Sequence, residues 1–131
     1  MAVDLKLLPI EGSTLRSWDP VQWGTVVFSH CILTLTGRRQ LFTEIGHAVE
    51  AETFPTVPKN FHTFLSRGPD GETCYGDTQT DPYGDRIVVV PASFLLRFKD
   101  HDGVKNDSVN RASWAYLAEL RPDHPIALYW D

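Results

Sequence analysis

Apolar positions along this chain change their period several times, and each change marks an element. Residues 3–10 alternate loosely between apolar and polar side chains, the period of an opening strand. Residues 11–24 hold Gly12, Ser13, Asp19 and Pro20 and predict a loop anchored by Trp18 and Trp23. The run TVVFSHCILTLT at 25–36 is rich in β-branched residues and predicts a second strand, which Gly37 stops. Residues 38–51 place Leu41, Phe42 and Ile45 on one face at helical spacing. Gly46 weakens that helix, so its end is expected near Val49. Two prolines make 53–60 irregular. A short strand follows at 61–66, with Phe61, Thr63 and Leu65 facing one way and His62, Phe64 and Ser66 the other.

The run RIVVV at 86–90 has the unbroken apolar character of a buried strand. Pro91 suits a first helical turn, and a helix over 92–98 carries Phe94, Leu95 and Phe98. Residues 99–106 are polar and turn-like. Ser108 or Asn110 caps a helix over 111–120, whose Trp114, Leu117 and Leu120 form a stripe. Pro122 and Pro125 end it, and IALYW at 126–130 forms a last strand. The order β–β–α–β–β–α–α–β predicts an α+β fold: a single mixed, mostly antiparallel sheet with about three short helices largely on one face. At 131 residues and 42% hydrophobic content, the chain reads as a single globular domain spanning 1–131.

Charge narrows the function classes. Twelve basic against seventeen acidic residues give a formal charge of −5, with no basic block, which argues against nucleic-acid binding. No apolar run approaches the ~18 residues of a membrane-crossing helix. Charge and proline interrupt the opening residues too early for a secretory leader, so a cytoplasmic location is expected, with Cys31 and Cys74 reduced.

Residues 71–85 are the chain's least core-like stretch, with three glycines, four acidic groups and the pairs Tyr75-Gly76 and Tyr83-Gly84. Such a segment predicts an ordered, turn-rich loop that sets large amphipathic rings beside backbone pivots. Tyr75 and Tyr83 suit stacking on a ligand or packing on a partner, with Thr78, Gln79 and Thr80 as adaptable donors and acceptors beside them. Arg67 is the nearest cation. Tyr129 and Trp130, on the last strand, are expected in the core.

His30 and His62 fall on predicted strands from which either approaches that loop. A histidine beside Cys74 would supply a nucleophile and its base. The neighbours of both histidines depart from the His-x-Thr/Ser pairs of two-histidine phosphoesterases, and no P-loop, GxSxG, HExxH or GxGxxG pattern is present. Asp70, Glu72, Asp77, Asp81 and Asp85 read as solvated turn carboxylates; Pro82 stands where a calcium loop requires glycine. Neither a metal nor a cofactor is expected.

The segments MAVDLKLLP, FSH at 28–30, VPKNFHTF at 57–64, YGDTQTDPYG at 75–84, NRASWAYLAEL and ALYWD together resemble a group of small tailed-bacteriophage proteins. The resemblance runs nearly end to end. It implies expression in an infected bacterial cytoplasm, where accessory proteins bind or block host components. The expected function is that of a non-enzymatic accessory protein that captures or inhibits a host molecule through residues 71–85. Its partner would be a host protein or a small nucleotide-like ligand, met by Tyr75, Asp77, Thr78, Gln79, Thr80, Tyr83, His30, His62 and Arg67. The alternative is a small hydrolase or transferase using His62 with Cys74 or Asp77.

Overall fold

A computed structural model describes residues 4–10, 27–28, 32–57, 61–63, 76–77 and 80–131. Seven strands are formed: β1 (Leu5–Pro9), β2 (Val27–Phe28), β3 (Leu33–Thr34), β4 (Phe61–Thr63), β5 (Gly76–Asp77), β6 (Val88–Pro91) and β7 (Pro125–Trp130). Four helices accompany them: α1 (Arg39–Ala51), α2 (Ala92–Leu96), α3 (Asp102–Lys105) and α4 (Ser108–Glu119). The fold is α+β, as the order of periods predicts.

The principal sheet runs β3-β1-β7-β6 and is antiparallel throughout. Its longest pairing sets Leu5 opposite Trp130 and Pro9 opposite Ile126. Beyond β6, Val57 donates to the Ile87 carbonyl and Val89 to that of Pro55, so the flank of β6 is occupied.

Side chains alternate between two buried clusters. Leu5, Leu7, Val90, Ile126 and Leu128 pack with Leu41, Phe42 and Ile45 of α1, Phe94 and Leu95 of α2, Val104 of α3, and Trp114 and Leu117 of α4. The opposite set, Leu8, Ile10, Ile87, Val89 and Ala127, packs with Val57. All four helices therefore sit on one face, as expected, and the other face is also buried.

A polar knot ties the helices together. Asn110, fully buried, accepts from the Thr36 amide at 2.8 Å and donates to the carbonyls of Gly103 at 2.9 Å and Thr36 at 3.2 Å. Asp107 caps α4 by accepting from the Asn110 amide at 3.0 Å, and its second oxygen takes the Arg38 guanidinium at 3.1 Å. That amide hydrogen bond, with help from Arg38, holds the Asp107 carboxyl below its ordinary pKa against the opposing effect of desolvation. His101 accepts the Gly103 amide at Nδ1 while Nε2 faces Glu44. Gly103 is required there, because a Cβ would stand 2.9 Å from that of Leu41.

Several expectations change. The run 25–36 is not one strand: β2 pairs with β4 in a second sheet, order β2-β4-β5, while β3 pairs with β1. Strand propensity reports local backbone preference and is silent on which partner a segment takes. The single mixed sheet is thus an antiparallel sheet plus a small one, which holds the parallel β2–β4 pair. The polar segment 99–106 contains the single turn of α3, whose cap is His101. The cap of α4 is Asp107, one residue before the predicted Ser108. α1 continues through Gly46 to Ala51.

Candidate functional site

The segment Asp81-Pro82-Tyr83-Gly84 has the turn former, φ-fixed proline and terminal glycine that a tight turn favours. The Gly84 amide donates to the Asp81 carbonyl at 3.0 Å, and the Asp81 amide to the Asp85 carbonyl at 2.8 Å. Gly84 sits at φ 86°, a conformation that costs any other L-residue about 1–2 kcal/mol. Thr80 pairs with Arg86 in an antiparallel bridge that closes the turn.

Asp81 fixes this turn from inside. It is only 6% exposed, and Oδ1 accepts from the amides of Tyr83 at 2.9 Å and Asp85 at 3.1 Å. Among the described residues its Oδ2 receives no hydrogen bond. The turn presents Tyr83 outward, 45% exposed, one of three large hydrophobic side chains so exposed among the described residues.

Behind Tyr83 lies a cavity of about 500 Å³. The turn contributes Asp81, Tyr83, Asp85 and Arg86; the sheet contributes Val88, Leu128 and Trp130; α1 contributes Gly46, Val49 and Glu50. Trp130 is steadied by an edge contact with Phe42, ring centres 6.0 Å apart at 83°. Gly46 borders the space, and a Cβ added there would meet nothing within 4 Å. A glycine inside a helix costs about 1 kcal/mol relative to alanine, and here it leaves room between α1 and the sheet. The charge of Asp81 also reaches Tyr129, whose hydroxyl is pushed up first by burial and then by Asp131 and Asp81.

Three carboxylates (Glu50, Asp81 and Asp85) and one guanidinium (Arg86) surround an apolar and aromatic wall. Such a lining, among the described residues, has the features a ligand held through shape, stacking and charge would need. No group of three metal-ligating side chains exists among the described residues, and no helix among them is long and apolar enough to cross a membrane.

Of the residues singled out in the sequence, Tyr83 stands at this cavity, and Thr80 pairs beside it. His62 and Asp77 are register partners across β4 and β5. His30, Arg67, Cys74, Tyr75, Thr78 and Gln79 lie outside the described residues. Sequence reasoning missed Gly46, Glu50 and Arg86; Trp130 packs against the main core, as expected, and also borders the cavity. The one available signal was a glycine inside an otherwise strong helical period. No protein-family model, curated protein or solved structure matches the chain.

Proposed function

We propose that this chain is a non-enzymatic binding protein of phage type, acting in the bacterial cytoplasm, that captures or inhibits a host molecule at the 80–86 turn and the cavity behind it. The observation that carries the reading is Tyr83. A large ring stands 45% exposed at a recess of about 500 Å³, on a turn that the buried Asp81 carboxylate closes from inside. An exposed, rigidly supported aromatic beside an apolar recess is the usual anchor of a binding surface. The register that sets His62 opposite Asp77 favours a second reading, a small hydrolase or transferase on the second sheet.

A photo-crosslinking amino acid placed at position 83, with position 116 as the control, separates these readings in bacterial cells. Tyr116 is also an exposed tyrosine, and it does not line the cavity. The expected result is a discrete adduct from position 83, none from 116, and no change when His62→Ala is added. Equal labelling from both positions, or none from either, would remove the turn as a binding surface. Loss of the adduct in His62→Ala would move the site to the second sheet.

A further inference from the structure

We infer that His101 is a proton-operated latch that holds α3 against α1. Both ring nitrogens are committed, and to opposite kinds of partner. Nδ1 accepts the Gly103 amide at 2.9 Å, so it carries a lone pair. Nε2 faces the Glu44 carboxylate, so it carries the proton. The two contacts together fix the neutral ring in one tautomer.

A second proton would have to enter at Nδ1, where it would meet the Gly103 N–H head on. That amide is held from both sides. Gly103 is pressed onto α1, where a Cβ would stand 2.9 Å from that of Leu41 and 3.2 Å from that of Arg38. Its carbonyl accepts from Asn110 at 2.9 Å. The ring must therefore be what moves, and α3 then loses the cap on its single turn.

The surrounding charges set two demands against each other. Among the described residues, Glu44 of α1 favours the proton, and Asp100 and Asp102, next to the ring in the chain, carry the same sign. Arg38, at the start of α1, opposes it but is engaged by Asp107, the cap of α4. Lys105 lies at the far end of α3. Glu44 thus draws the proton in, while the capped amide leaves no place for it. Protonation becomes a rearrangement rather than an added charge. Asn110, which holds Gly103 and Thr36 at once, links that rearrangement to the chain entering α1.

The test is a titration of ¹⁵N-labelled protein from about pH 8 to about pH 5, the interval in which histidines ordinarily change charge. It follows the ring nitrogens of His101 and the amide of Gly103. At the upper end the ring is expected as the Nε2–H tautomer. As it gains a second proton, the Gly103 amide should shift with the same midpoint, and its protection from hydrogen exchange should fall roughly tenfold. Glu44→Gln keeps an acceptor without the charge and should move that midpoint to lower pH. His101→Asn supplies a capping oxygen that does not titrate, and should leave the Gly103 amide protected across the range. An Nδ1–H tautomer, or a ring that titrates while the Gly103 amide stays protected, would overturn the inference. So would a ring that takes up no second proton by about pH 5.

Discussion

At the scale of single residues, two buried polar side chains organise the molecule, and they differ in what they hold. Asn110 spends its side chain on Thr36 and Gly103, and its amide on Asp107. Replacing it with leucine keeps the volume but strands backbone groups of α3 and the β3–α1 connection. Asn110→Leu should therefore lower stability by roughly 2–4 kcal/mol in urea unfolding; a loss below about 1 kcal/mol would mean that water repairs the knot. Asp81, by contrast, closes a turn, its Oδ1 accepting from the Tyr83 and Asp85 amides. The turn it supports was legible, because Asp-Pro-Tyr-Gly writes its own geometry. The recess beside Trp130 was not: alternation along β7 gives only the packing of the ring on the core. Whether the space there is filled depends on Gly46, eighty-four positions earlier.

Among the elements, β1, α1, β6, α4 and β7 were readable, since each carries enough periodic or β-branched positions to declare itself. α3 was hidden because one turn has no period, and it is stabilised by what surrounds it: the His101 cap, the Glu44 contact and the bare Gly103 against Leu41. β2 and β3 were read as one strand because no turn residue separates the sheets they join. The cap of α4 carries a pH dependence. Asp107 has a lowered folded-state pKa, so its charge contributes stability that is complete above the ordinary carboxylate range. That contribution fades as pH falls through the lowered value. Asp107→Asn retains a capping oxygen without the charge. Urea unfolding across pH should show wild type ahead of the variant at neutral pH and the difference shrinking in acid. A difference constant down to strongly acid pH would contradict this cause.

For the molecule as a whole, the antiparallel sheet is buried on both faces, and among the described residues a recess opens beside it. There a helix glycine, a buried aspartate and a turn tyrosine surround empty volume at the end of β7. A protein selected for stability alone would not keep this glycine, since a Cβ at Gly46 meets no atom within 4 Å and any such side chain improves helix propensity. The exposed ring, the acidic lining and the missing side chain are explained together if the space is kept for a ligand. Gly46→Leu separates this from a packing defect. The decisive measurement is the melting temperature of Gly46→Leu alongside its photo-adduct yield from position 83. Binding in the cavity predicts a protein as stable as wild type, or up to about 1 kcal/mol more so, that no longer forms the adduct. A plugged protein that crosslinks at full yield would show that the cavity is not the binding site.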